Sequence, residues 1–514
     1  MKKLVALMLC LLLVAGLTAC TTTTTEGGGS EYYVVESFIE TTTDDEGKDA
    51  DAKDEADADK DSDKDSSKDE DKDSSKDKDS SKDNGKEDSS KGDDSSKNND
   101  SSKEDTDKNS SKDEGKKDEG DKNKPAKKDR FDVGDVKEVK LLVWYTPEDW
   151  EQKIYDEFYK ETGAKVKFIP TGTQSVQQKL TALIAANSAP DAAIFGGADF
   201  PQFITKKLAQ PLTNFIDKKQ DTWLAYELMD ACKYGGEYYG ITDHFWGDTQ
   251  FVYFNKDIFN NSKTVKNNPL ELFEQGKWNW DTFYELAKQL TVKDAKGNVS
   301  QWGAASSAVD HFIRSAGGSV ITIKDGKVKN TIDTKQLKDA CAFQKKLYKE
   351  NIYAKDQGSW TKGNIAMWIY PQYPVRTDNY PSWKNIKFDW DWVPFPSYTE
   401  GQSYQPTGIQ MGSVPRKAKN PEAGFALINF RAYYQENMKT ITQSNKAWVE
   451  RFKKAVTGKT NFSLEVGIIG SDVWTLYYDL TSPETSLQSK IDSWKSVVDG
   501  KIRAYEQELA DFNF

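Results

Sequence analysis

Between residues 41 and 130 the chain has no aromatic residue and almost no aliphatic one. It is built of Asp, Lys, Ser, Glu, Gly and Asn, with near-repeats such as DSSKDKDSSKD. Such a segment cannot bury enough apolar area to offset the entropy lost on ordering. It is expected to be a disordered tether, and any fold is confined to residues 131–514. Roughly 110 flexible residues reach about 60 Å r.m.s., and further if like charges stretch them.

The start of the chain explains what such a tether could be attached to. Lys2 and Lys3 precede LVALMLCLLLVAG, an apolar run too short to span a membrane comfortably, and the run closes on Leu17-Thr18-Ala19-Cys20. This resembles a bacterial lipoprotein signal. It implies cleavage after residue 19 and diacylglycerol on Cys20, with the protein held on the outer face of the cell membrane. A plain secretory signal with an incidental Cys is the alternative. A thick wall would account for the tether's length, which points to a Gram-positive host. No second long apolar run follows. EYYVVESFIE at 31–40 is an apolar island to which the sequence assigns no role.

Charge divides the chain in the same place. Residues 1–130 carry 24 Lys+Arg and 37 Asp+Glu, a net of −13, while the whole chain is −12, so residues 131–514 are close to +1. The acidity belongs to the tether. A nearly neutral body gives no electrostatic reason to expect nucleic acid or a highly charged ligand. All 15 Trp lie in that body. With Cys10 in the signal and Cys20 lipidated, Cys232 and Cys341 remain, and two buried thiols are expected rather than a disulfide.

A body of some 380 residues predicts two domains. VKLLVWY reads as a buried strand. DWEQKIYDEFYKETG follows with Trp150, Ile154 and Phe158 at helical spacing and a stop at Gly163. AKVKFIP is a second strand. SVQQKLTALIAANSAP, with Val176, Leu180, Leu183 and Ile184 on one face, is a second helix, and DAAIFG a third strand. This alternation predicts an α/β lobe on a parallel sheet, with ligands at the strand ends. Farther on, Asn279 reads as an N-cap, with Trp278 and Trp280 as packing residues. One of Trp390 and Trp392, which alternate along FDWDWVPF, should face the core. Trp150 and Trp448 are expected in the core.

Five segments resemble, in order, the maltose-binding-like (family 1) extracellular solute-binding proteins of bacterial ABC importers. They are APDAAIFGGADFPQFITKKLAQPLTNFID, EYYGITDHFWGDTQFVYFNKDIF, WNWDTFYELAKQLT, KGNIAMWIY and GSVPRKAKNPEAGFALINF. Thr242 stands where that family commonly has Pro, and Gly424 where it has Ala. The resemblance implies a two-lobed fold with hinge crossovers and a cleft between the lobes. One lobe is expected at 131–243 plus 405–455, the other at 248–404 plus 456–514. It also implies no catalysis and no cofactor, a small-molecule ligand, permease subunits as partners, and a monomer.

The stretch 239–259, YGITDHFWGDTQFVYFNKDIF, places two carboxylates, a histidine and two rings between apolar runs. In the family pattern it crosses between lobes and lines the cleft. Gly247 is expected to supply backbone freedom there. A sugar needs flat rings for its C–H faces and planar polar groups for its hydroxyls. The expected platforms are Trp144, Tyr145, Phe200, Trp246, Trp360, Tyr370 and Tyr373. The expected polar partners are Asp199, Asp243, His244, Asp248, Gln372, Arg376 and Gln410. On this reading Trp246→Ala weakens binding at least tenfold without unfolding the protein.

Other readings stay open. Asp243 and Asp248 could be the carboxylate pair of a secreted glycosidase. The importer could carry peptide or another polar solute, and a wall adhesin is a third class. A metal at His244, Asp243 and Asp248 lacks the usual ligand spacing.

Overall fold

The computed structural model describes residues 130–306, 308–354, 360–399, 404–462 and 464–511. The signal segment, Cys20, residues 31–40 and the tether lie outside them.

The strand-helix alternation folds as read. β1 (Glu138–Val143), α1 (Asp149–Thr162), β2 (Lys165–Pro170), α2 (Val176–Ala185), β3 (Ala192–Gly196) and the short α3 (Phe200–Thr205) follow in order. β1 pairs parallel with both β2 and β3. Val139, Leu141, Leu142 and Val143 are all buried, as expected of a strand covered on both faces. Gly163 ends α1 in the left-handed region, at φ 72°, and its N–H reaches the Tyr159 carbonyl at 2.8 Å. Ser175 and Gln178 close a capping box on α2.

A second sheet is built from β4 (Gln250–Asn255), β5 (Val299–Ser306), β6 (Tyr353–Ala354), β7 (Ile365–Pro371) and β8 (Trp390–Pro394), in the order β6-β5-β7-β4-β8. All six residues of β4 are buried. α4 (Trp280–Leu290) and α5 (Lys335–Lys349) pack beside it, and the turn α6 (Tyr373–Arg376) follows β7. Asn279 caps α4 as read, accepting from the Thr282 N–H at 3.0 Å. Trp278 and Trp280 are packing residues, Trp280 stacking on Phe343 at 4.8 Å. Trp392 is the buried member of its pair and Trp390 the half-buried one.

The chain then returns. β9 (Gln410–Ser413) adds antiparallel to β3, giving the first sheet the order β9-β3-β1-β2. α7 (Pro421–Glu436) lies across that sheet with most of its length buried. Gly424 is required by space: a Cβ there would stand 1.9 Å from the Asp191 carbonyl oxygen. α8 (Lys446–Val456) packs on the second sheet, not the first. Its Phe452 lies 5.6 Å from Phe245 and 5.9 Å from Phe251, because Phe452, Ala455 and Val456 form its apolar face. The expected grouping of residues up to 455 with the first sheet therefore extends too far. The closing helices α9 (Val466–Ile469), α10 (Asp472–Thr481) and α11 (Leu487–Ala510) touch both sides: α9 and α11 meet α3, and α10 meets α5. Cys232 and Cys341 are buried free thiols, and burial raises both pKa values, that of Cys341 to about 12.

Candidate ligand-binding site

Two chain segments pass between the sheets side by side. The Ile241 N–H donates to the Gly412 carbonyl at 2.8 Å, and the Gly412 N–H returns a bond at 2.9 Å. The Gln410 N–H reaches the Trp246 carbonyl at 3.0 Å, and the Asp248 N–H reaches that of Gly408 at 2.7 Å. Thr242 Oγ1 donates to the Gln410 carbonyl at 2.7 Å, which gives the unusual threonine a use. Gly247 serves differently from expectation. Its φ is not positive, but a Cβ would meet the Gly408 carbonyl oxygen at 2.0 Å, so glycine lets the two backbones touch.

This contact changes the part played by Trp246. It is 2 % exposed. Its indole N–H donates to Gln410 Oε1 at 2.8 Å, and the Arg431 guanidinium lies 4.4 Å over its ring. No open face remains for a ligand to stack on, so the ring packs the crossover rather than serving as a platform. Arg431 is paired in turn with Glu151, itself 1 % exposed. Glu151 Oε1 accepts from Tyr145 Oη at 2.5 Å and from Tyr155 Oη at 3.1 Å.

The other crossover residues are also engaged. Asp243 accepts from the Phe245 N–H at 2.7 Å and from Gln435 Nε2 at 3.4 Å. Burial, then the nearby Glu436 charge, raises its pKa to about 7. His244 sits between Glu436 (Nδ1–Oε2 3.1 Å) and Glu227 (Nε2–Oε1 2.6 Å). Burial lowers its pKa, but the two carboxylates outweigh that and raise it to about 9. The imidazole is therefore a cation held by two anions. Gln372 is buried and donates to the carbonyls of Gly247, at 2.5 Å, and Phe245, at 3.2 Å. Arg376 lies 4.6 Å over the half-buried Trp150 ring and donates to Thr440 Oγ1 at 2.9 Å. Trp150 is thus not the core residue its helical position suggested.

The half-open groups stand at strand ends. Trp144 and Tyr145 follow β1 and meet edge to face at 5.1 Å. Asp199 follows β3 and accepts from Gln177 Nε2 at 2.5 Å, and burial raises its pKa. Tyr370 closes β7, its hydroxyl 3.0 Å from that of Tyr380. Tyr373 donates its hydroxyl to Asp248. Burial raises the Asp248 pKa, and this bond opposes the shift. Phe200 and Trp360, at 2 % exposure each, belong to two separate cores. Trp360 packs on Trp383 and Phe388 at 5.6 and 5.1 Å. Phe200 is enclosed at the start of α3 and Trp360 in the turn before β7, so neither ring is presented to a ligand.

Sequence reasoning missed Glu151, Arg431, Gln435 and Glu436. For Arg431, Gln435 and Glu436 the signal was a polar or charged residue within an otherwise apolar helix, LINFRAYYQE; Glu151, in the polar helix DWEQKIYDEFYKET, carried none. Among the described residues, no group of three or more His, Cys, Asp or Glu is placed to hold a metal, and no helix is long and apolar enough to cross a membrane. A groove of about 650 Å³ at Asn255, Lys362 and Lys387 lies at the end of β4 away from the crossover.

Crossed backbones joining two α/β bodies, with polar and aromatic groups at the strand ends, describe a binder. The chain belongs to the bacterial extracellular solute-binding protein family, whose model matches residues 144–431. That is a family of binding proteins, and the chain is accordingly not an enzyme. Its fold is that of several solved structures. An ABC substrate-binding protein from Listeria monocytogenes, in complex with cycloalternan, is 19% identical; the match covers 72% of this chain and 99% of that one, with a TM-score of 0.53. The cyclic alpha-maltosyl-1,6-maltose binding protein of Arthrobacter globiformis is 14% identical over 72% of this chain and all of its own, at 0.57. The sugar-binding protein MalE of Xanthomonas citri is 13% identical over 73% and 100%, at 0.58. Among curated proteins, none matches.

Proposed function

We propose that this protein is the substrate-binding subunit of an ABC importer and captures a carbohydrate between its two sheets. The observation that carries this reading is the set of half-open rings and carboxylates at the strand ends: Trp144, Tyr145, Tyr370, Tyr373, Asp199 and Asp248. Rings stack on sugar C–H faces, and planar polar groups satisfy hydroxyls. The body's near neutrality suits an uncharged ligand, and fold neighbours whose names state sugar binding support the same class. One lobe consists of β1–β3, β9 and α7, the other of β4–β8 and α8, with the paired crossovers as hinge. Closure follows from tighter binding to the closed form, which a permease then recognises. A lipid on Cys20 anchors the protein outside the cell, and it works as a monomer.

The glycosidase alternative is disfavoured by the carboxylates themselves. Asp243 is enclosed with both oxygens hydrogen bonded, so it cannot reach a glycosidic bond. A thermal-shift screen against neutral mono- and oligosaccharides, with peptides and polyamines alongside, tests the proposal. A ligand that binds the folded state raises the melting temperature. A sugar-induced rise with the sugar recovered intact supports it. A rise with peptides alone keeps an importer and replaces the carbohydrate.

A further inference from the structure

A row of aromatic rings leads away from the strand-end site. Tyr373, which bonds Asp248, stacks on Tyr380 with centroids 6.4 Å apart and planes 21° apart. Tyr380 is followed by Trp383 at 6.0 Å, Trp390 at 5.0 Å and Trp448 at 4.9 Å. Trp383 is buried, but Tyr373, Tyr380, Trp390 and Trp448 are each only half-buried. The row ends in a groove of about 360 Å³ between the turn after α6 and the start of α8, where Trp390 and Trp448 meet Thr377, Asp378, Gln443 and Asn445.

The groove is held in shape without a ligand. Asp378 accepts from the Ser444 N–H at 3.0 Å and from the Ser444 hydroxyl at 3.1 Å. Thr377 and Thr442 form a backbone bridge, and Asn445 caps α8 through the Trp448 N–H at 3.2 Å. Beneath it, Arg451 fixes the strand by pairing with Asp391 at 2.9 Å. Two carboxylates line the groove, Asp378 and Asp389, the second paired with Lys256. Rings beside amide and carboxylate groups, in a preformed groove, match the two sides of a sugar residue.

We propose that this groove is an outer saccharide-binding subsite. It holds the far units of an oligosaccharide whose inner end lies at Tyr373 and Asp248, and the ring row joins the two. The inference rests on the carbohydrate reading above and adds to it a preference for long chains.

Calorimetric titration of the full mature protein with gluco-, xylo- and manno-oligosaccharides, from disaccharide to hexasaccharide, tests it. In the series that binds, affinity should climb with length. Trp448→Ala should cost about tenfold on the hexasaccharide and less than about twofold on the disaccharide, while Trp448→Tyr keeps most of the gain. A second readout needs no variant with a lost ring: with 5-fluorotryptophan incorporated, the fluorine resonance of Trp448 should shift with hexasaccharide and stay in place with disaccharide. Equal losses at every length, or an unmoved resonance in the hexasaccharide complex, would overturn the outer subsite and leave the sugar-binding reading standing. No binding in any series would remove both. A resonance moved by a proline-rich peptide but by no sugar would also overturn it, and would make the groove a peptide contact.

Discussion

Two aromatic-rich regions of this molecule have opposite fates. At the crossover, Trp246 is covered by Arg431 and tied to Gln410, and the adjoining Asp243 and His244 are paired off. Along the row from Tyr373 to Trp448, four of five rings keep part of their surface open. Both regions mix rings with carboxylates, so composition does not separate them. Nor does polar pairing, since Tyr145, Asp199, Asp248 and Asp378 have hydrogen-bond partners too. The difference lies in enclosure. Trp246 and Asp243 are buried, which yields a fixed joint, whereas the strand ends and the outer groove keep ring and carboxylate surface open.

The comparison breaks most sharply at Glu151. Glu151→Gln leaves Arg431 buried without its anion, and we expect a loss of about 3–5 kcal/mol in urea unfolding. Trp246→Ala should cost about 3 kcal/mol or more by the same assay, because it empties a filled site. An unchanged midpoint with tenfold weaker sugar binding would return Trp246 to the ligand. Gly247→Ala should cost about 1–3 kcal/mol, since its methyl group would press on the Gly408 carbonyl and separate the paired crossovers. Tyr373→Phe should leave stability within about 1 kcal/mol but weaken ligand, as Asp248 loses its donor. A further effect is on pH. The His244 pKa rises from 6.5 to about 9 on folding, so its contribution to stability is fully present below 6.5 and is lost as pH climbs through 9. His244→Gln should flatten the stability profile over that window, and an unaltered slope would show that the ion pairs do not form in solution.

The first sheet was legible because its early elements carry their own periods, and the first helix its own stop at Gly163. The N-cap at Asn279 and the alternation of Trp390 and Trp392 were equally local signals. The family pattern pointed to the stretch 239–259, part of which pairs with residues 408–412. What the sequence did not disclose was occupancy. Trp246 looked available because its partners, Gln410 and Arg431, lie 164 and 185 positions away, and nothing local marks a ring as covered. Trp448 misled in the opposite sense. It sits on an amphipathic helix, but Trp390 meets it at the rim of a groove instead of inside a core. The position of α8 was also beyond local reading, since an apolar helix face does not state which sheet it will cover.

Gly424 sets tolerances at a distance. It lets α7 rest with its backbone almost on Asp191, and Arg431 follows seven residues later, about 10 Å along the same helix and back on nearly the same side. The seat at one end therefore aims the guanidinium at the other. A single methyl group at 424 would tilt or slide the helix, and the misalignment would be felt where Arg431 meets Trp246, at a joint the substituted residue never touches.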